Sequence, residues 1–311
     1  MKILFHDNSL SERGTSVALF DYARYNQEIL GNESLITFNH NNLSNNQNVI
    51  DKFKDNFNTV SYHNFSEVEQ LVDKNSIDAA YFIKSGHNDG RIVNNAKNLI
   101  HAVFSEYDPH GDRYAYVSEW LSNVNSHYPF VPHMVSLPTP TKNLRESWGI
   151  SEHSIIVGRY GGQDTFDIHW VKDELLKFIH YNPNYFFVFV NTRRFTRHPN
   201  FVFLDTIINT QEKSNYLNSI DVFLHARLQG ESFGLSIVEA LYRNKPVLSW
   251  NGGTDKHHMY LLKNSDGLYS DSLELKEKLL NYKDIKVPSV EQFSPIPVMK
   301  KFKEVFLNNH E

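Results

Sequence analysis

Short apolar runs alternate with helical patterns along the whole chain. In the first half, Lys2–His6, Leu35–Phe38, Thr59–Tyr62, Ala79–Ile83, Leu99–Phe104 and Tyr114–Ser118 read as strands. Thr15–Leu30 carries Val17, Leu19, Phe20, Tyr22 and Ala23 at helical spacing, with Gly31 placed to end it. Phe65–Lys74 and Glu119–Asn125 read as further helices, and the Asn-rich stretch His40–Asn48 as a surface loop. Leu137-Pro138-Thr139-Pro140 interrupts the pattern, because two prolines remove donors and fix the backbone. The alternation then restarts. Strands are predicted at Ser154–Gly158, Tyr185–Asn191, Phe201–Leu204, Asp221–His225 and Pro246–Ser249. Helices are predicted at Ile168–Tyr181, Gln211–Asn218, Gly234–Arg243, Leu273–Tyr282 and Val298–Asn308. Such alternation predicts a parallel sheet covered by helices on each side of the Pro-rich hinge.

Composition agrees with a globular chain and removes several chemistries. The 311 residues suggest two domains, and 40% apolar content is enough to build their cores. Lys and Arg number 31 against 36 Asp and Glu, a net charge of −5, which gives no general attraction to nucleic acid. Cysteine is absent, which excludes disulfides, zinc–thiolate centres and thiol nucleophiles. The apolar start before His6 is too short for a signal peptide, and no run approaches the ~18 apolar residues of a membrane span. These features read as a soluble, cytoplasmic protein.

The segment with most chemical content is Asp221–Trp250, DVFLHARLQGESFGLSIVEALYRNKPVLSW. An apolar strand enters a polar loop, a Gly-led helix follows, and a second apolar strand closes the unit. The first helical amides, those of Phe233, Gly234 and Leu235, lack intrahelical partners and suit a phosphate, and Gly234 allows close approach. Glu239, just over a turn into the helix, can accept two hydrogen bonds from a ribose diol. A phosphate seat beside a diol acceptor describes a nucleotide site. No Asp-x-Asp, H-E-x-x-H or G-x-G-x-x-G is present, so no metal or other cofactor is expected. His257 and His258 are adjacent, diverge on any regular element, and make poor joint ligands.

The whole pattern resembles the GT-B glycosyltransferases, in particular the retaining family 4-like group with its E-x7-E motif. Glu231 and Glu239 match the two glutamates, and Ser232-Phe233-Gly234 the segment between them. Ala240-Leu241 with Pro246-Val247, Ile155–Arg159 and Asp221–His225 extend the likeness over roughly residues 135–265. The resemblance implies an α/β fold of two Rossmann-like βαβ domains facing a central cleft. Their boundaries are 1–138 on the acceptor side and 139–295 on the nucleotide-sugar side, with 296–311 packing back on the first domain. It further implies transfer of a sugar from a nucleotide-diphosphate sugar to an acceptor hydroxyl, with retained configuration.

Carried over by residue, Glu239 binds the ribose and Glu231 sits at the sugar and the reacting face. Phe233, Gly234 and Leu235 offer amides, and Arg159 meets the diphosphate. The family's second basic residue, a Lys before Gly, is missing from Gly161–Asp167, and Arg193, Arg194 or Arg227 are the candidates to replace it. In the first domain His101 matches a histidine that contacts the donor sugar, with His110 as a competing candidate, and Gly14 lies in the family's first loop. The acceptor stays open between a glycan, a lipid-linked acceptor and a small molecule, with room for peripheral membrane contact. A nucleotide-sugar epimerase and a non-catalytic sugar-nucleotide-binding module share the same reading.

Overall fold

The computed structural model describes residues 1–308. The chain divides into two units, Met1–Ser136 with the segment from Gln292 onward, and Leu137–Glu291. In the first unit the apolar runs form β1 (Lys2–Asp7), β2 (Glu33–Asn39), β3 (Asn58–Tyr62), β4 (Ala79–Lys84), β5 (Lys97–Ala102) and β6 (Arg113–Tyr116). They make one parallel sheet in the order β3-β2-β1-β4-β5-β6. The connecting helices are α1 (Gly14–Glu28), α2 (Gln47–Lys54), α3 (Ser66–Asn75) and, after β6, α4 (Glu119–Val124). All six residues of β4 are buried, as expected of a central strand covered on both faces.

Two local readings need correction. The surface loop expected through Asn48 ends earlier, because Asn46 caps α2 through the amides of Asn48 and Val49. Val49, Ile50 and Phe53 then pack inward. The helix predicted from Thr15 starts one residue earlier, and its cap is Arg13, with no side-chain bond. The Ser16 hydroxyl turns inward, accepting from the Ser11 amide and donating to Asp7 Oδ2 at 3.2 Å.

The second unit holds β7 (Ile155–Arg159), α5 (His169–Tyr181), β8 (Tyr185–Val190), β9 (Phe201–Leu204), α6 (Thr210–Ser219) and β10 (Val222–His225). There follow β11 (Gly230–Glu231), α7 (Leu235–Tyr242), β12 (Val247–Trp250), β13 (Asp255–Lys256), α8 (His257–Leu262), β14 (Leu268–Tyr269) and α9 (Ser272–Leu280). The main sheet is parallel, in the order β14-β12-β10-β7-β8-β9. Counted from its own first strand, this is the order of the first sheet over again. In each sheet the order reverses beside the first strand, between β1 and β4 and between β7 and β10. Open α/β sheets bind ligands outside the carboxyl ends of the strands at that reversal. A small parallel pair, β11 with β13, and the short α8 were not anticipated from the sequence.

The Pro-rich segment is fastened within the second unit: Ser214 donates to the Pro138 carbonyl, and Asn215 Oδ1 accepts from the Thr141 amide. The last helix, α10 (Pro295–Phe302), starts one turn earlier than expected and continues as a π-helical turn, Lys303–Leu307. It belongs to the first unit, where Phe302 packs on Tyr22 and Tyr81, and Phe306 on Tyr81 and His101.

Candidate functional site

The reversal point of the second sheet is lined by the carboxyl ends of β7 and β10, and α7 follows β10 through β11. Gly234 stands at the start of α7 with φ +85°, a left-handed conformation that favours glycine. The amides of Ile237 and Val238 both return to the Gly234 carbonyl, at 3.0 and 3.1 Å. The Leu235 and Ser236 amides therefore have no backbone acceptor among the described residues. Unspent amides and the positive end of the helix dipole together make an anion seat.

The two glutamates of this segment sit in separate networks. Glu239, inside α7, is 4% exposed. Its Oε1 lies 2.8 Å from the Lys213 ammonium, and its Oε2 accepts from the Tyr160 hydroxyl. Lys213 comes from α6 and Tyr160 from the residue after β7, so three elements converge on one carboxylate. The ammonium also stands 5.5 Å over the Tyr160 ring. Burial and the neighbouring Glu239 charge push the Tyr160 hydroxyl well above the usual tyrosine range.

Glu231 Oε1 meets His225 Nε2 at 3.0 Å, and its Oε2 meets Arg227 Nη1 at 3.1 Å. Burial alone would raise this carboxyl, but the His225 hydrogen bond and the Arg227 charge hold it below the usual range. Gly230 beside it has φ +79°, and a Cβ there would stand 2.0 Å from the Asp255 carbonyl oxygen and 2.8 Å from His258 Cε1. Only glycine fits that approach. His257 and His258 diverge as expected. His257 Nδ1 reaches the Phe233 carbonyl at 2.6 Å, and His258 Nδ1 accepts from the Glu231 amide at 3.3 Å.

Arg159 is not the open cation that the sequence suggested. It is 3% exposed. Its guanidinium donates to the carbonyls of Asn191 and Gly162 and to the hydroxyls of Thr192 and Thr165. Burial lowers it to about 10. The group ties two loops at the carboxyl edge together. Of the candidates to replace the missing lysine, Arg193 pairs with exposed Asp164, and Arg194 lies over the Phe203 ring. Arg227 is the one joined to Glu231.

In the first unit, His101 needs correction as a candidate for contact with a sugar. It is fully buried in β5, an inner strand covered on both faces. Nδ1 bonds the Tyr81 hydroxyl at 2.6 Å and Nε2 the Val131 carbonyl at 2.8 Å. Burial lowers its pKa to about 4, and no ring nitrogen is left for a ligand. His110 is half-buried, with Nδ1 on the Asp108 carbonyl and a buried Nε2 that has no partner. Gly14 opens α1 with no atom within 4 Å of a hypothetical Cβ. The residues that sequence reasoning missed are Lys213, Tyr160 and His225, and for the two glutamates they are the immediate partners.

Among the described residues, no group of three or more His, Asp or Glu side chains is placed to hold a metal ion. No helix is long and apolar enough to cross a membrane. Compared by sequence, the chain matches no family model and no curated protein. Compared by structure, it resembles HepE of Anabaena in complex with UDP-glucose, with a TM-score of 0.76, 14% identity and 98% of both chains covered. It also resembles the sucrose-phosphate synthase of Thermosynechococcus elongatus, with a TM-score of 0.66, 12% identity, and 98% of this chain and 95% of that one covered. WaaG, a glycosyltransferase involved in lipopolysaccharide biosynthesis, aligns with a TM-score of 0.62 and 11% identity over 98% of this chain and all of its own. Two parallel six-stranded sheets of one repeated order, matched end to end by these structures, give the chain the GT-B glycosyltransferase fold.

Proposed function

We propose that the chain is a retaining, family 4-like glycosyltransferase that moves a sugar from a nucleoside-diphosphate sugar to an acceptor hydroxyl. The observation that carries the reading is the buried Glu239 beside the unspent amides of α7, at the reversal point of the second sheet. The diphosphate rests on the amides of Gly234, Leu235 and Ser236, with no metal required. Each Glu239 oxygen already accepts one hydrogen bond and keeps a second lone pair for the ribose diol. Glu231 and Arg227 serve the sugar side, and Arg159 holds the loops around them. The acceptor is assigned to the first unit, and Gly14 and His110 remain candidates for contact with the donor.

In the reaction, the bond from the anomeric carbon to the phosphate oxygen breaks as the acceptor oxygen bonds to the same face. The acceptor proton passes to the departing diphosphate. The protein then contributes positioning and charge stabilisation in place of a strong base. HepE is seen with UDP-glucose, with UDP, and with UDP and glucose, so uridine diphosphate sugars head the trial panel. A ligand at about 100 times its Kd stabilises the fold by about 2.7 kcal/mol, which a thermal-shift panel detects. Release of nucleoside diphosphate from the stabilising donor, dependent on an acceptor, supports transfer. Stabilisation without release supports the second reading, a binding module, which the commitment of Arg159 to loop carbonyls favours. No stabilisation by any sugar nucleotide defeats both.

A further inference from the structure

We propose that His225, His257 and His258 are positioning residues that together fix the Glu231–Phe233 turn, and with it the direction of the α7 amides. The inference rests on the glycosyltransferase reading of that turn. The three imidazoles come from the end of β10 and the start of α8, and each holds a different point. His258 Nδ1 accepts from the Glu231 amide at 3.3 Å, so its Nε2 carries the proton and donates to the Trp250 carbonyl at 3.1 Å. His257 donates through Nδ1 to the Phe233 carbonyl at 2.6 Å, with the two rings stacked at 5.3 Å. His225 donates through Nε2 to the Glu231 carboxylate at 3.0 Å, and its Nδ1 pairs with the buried Ser249 hydroxyl at 2.8 Å. The turn is thus gripped at the amide and the carboxylate of its first residue and at its last carbonyl.

Packing alone does not require these groups. Leucine or phenylalanine fills such volumes without partners, whereas an unmatched nitrogen on a buried imidazole carries a desolvation cost. The match here is specific to one tautomer at His258, since a proton on Nδ1 would face the Glu231 N–H. Burial supports that state, lowering His257 and His258 to about 4. The closeness of the grip is independently visible at Gly230, where a Cβ would stand 2.8 Å from His258 Cε1. The pairing of β11 with β13 delivers the histidines, because Glu231 lies opposite Lys256, the residue before His257.

The test compares H258L, which removes the acceptor, with H258N, which keeps an acceptor near the Nδ1 position. Amide hydrogen exchange over residues 231–236, the Kd for UDP and kcat with the identified donor are measured in each. In H258L, exchange is expected to rise, and UDP affinity and kcat to fall, each by about tenfold or more. H258N is expected to restore most of all three. H258L indistinguishable from the parent, or H258N as damaged as H258L, overturns the proposal. If H258L does not fold, H225L against H225Q, which keeps a donor near the Nε2 position, makes the same comparison. If the parent chain turns over no sugar nucleotide, the functional reading fails by itself, and the exchange comparison still decides the positioning role.

Discussion

Replacing Glu239 by glutamine removes one charge and almost no volume. Its partners are the Lys213 ammonium at 2.8 Å and the Tyr160 hydroxyl, and the side chains of the ion pair are 5% and 10% exposed. Glutamine still offers a carbonyl oxygen to one partner and an amide to the other, so hydrogen bonding survives in part. The counter-charge does not. Breaking a buried pair from one side costs roughly 3–5 kcal/mol, and the retained hydrogen bond puts E239Q at about 3 kcal/mol. Adding K213M removes the stranded ammonium while the new glutamine still accepts from Tyr160, so the double variant should return to within about 1 kcal/mol of the parent. Nucleotide affinity should behave differently. The ribose loses a charged acceptor in both variants, weakening UDP by roughly 1.5–3 kcal/mol, more than about tenfold in Kd. Urea unfolding at pH 7 and calorimetric titration measure the two quantities separately. A loss of stability below about 0.5 kcal/mol in E239Q would refute the buried pair. Recovery of UDP affinity together with stability in the double variant would refute the ribose role.

Glu231→Gln should leave UDP affinity nearly unchanged and lower kcat by about 10²–10³, the scale of one lost electrostatic stabiliser; equal losses in both quantities would merge the roles of the two glutamates. Transfer should survive EDTA, and complete loss restored by Mg²⁺ or Mn²⁺ would show that the α7 amides do not suffice. His101→Leu should destabilise the first unit by about 1–3 kcal/mol, through the unpaired Tyr81 hydroxyl and Val131 carbonyl, without changing turnover of the folded protein. A selective fall in kcat would return His101 to the donor site. Burial lowers His101, His257 and His258 to about 4 and His6 to about 3, against 6.5 when exposed. The folded state binds fewer protons, so stability is intact above pH ~6.5 and falls toward pH 4, by up to about 1.4 kcal/mol per pH unit for each histidine. Asp7, raised by burial to about 6, works in the opposite sense between 3.8 and that value. A flat urea midpoint between pH 4 and 6.5 would contradict the four buried neutral rings.

What the sequence disclosed depended on how each residue is buried. Asp221–Trp250 was legible because an apolar strand, a glycine and an apolar helix change period in turn. Lys213 was hidden for the opposite reason. Helix α6 reads TQEKSNYLNS, and among its buried residues Lys213, Ser214, Asn215 and Ser219 are polar, so no apolar stripe marks the inner face. His101 looked like a strand-end ligand because inner parallel strands are buried on both faces, and alternation carries no information there. Arg159 was located correctly at the end of β7, but charge and position do not reveal that loop carbonyls already occupy the guanidinium. The two-residue strands β11 and β13 are too short to carry any period, so the meeting of His257 and His258 with the Glu231 turn was invisible until the chain was folded.

The discontinuous first unit has a consequence for synthesis. Domains ordinarily fold in the order in which they leave the ribosome. Here the second unit is one uninterrupted stretch, while the first lacks Phe302 and Phe306 until the second has been synthesised. At about 5–20 residues per second, the interval between Ser136 and Phe302 is on the order of ten to thirty seconds. Throughout it, the faces of Tyr22, Tyr81 and His101 that α10 covers have no lid, and the Val135 amide has no Phe293 carbonyl. Of the two units, the one begun first is therefore finished second. A nascent chain arrested before Pro295 should expose an aromatic surface that chaperones or proteases recognise, even with the second unit already closed.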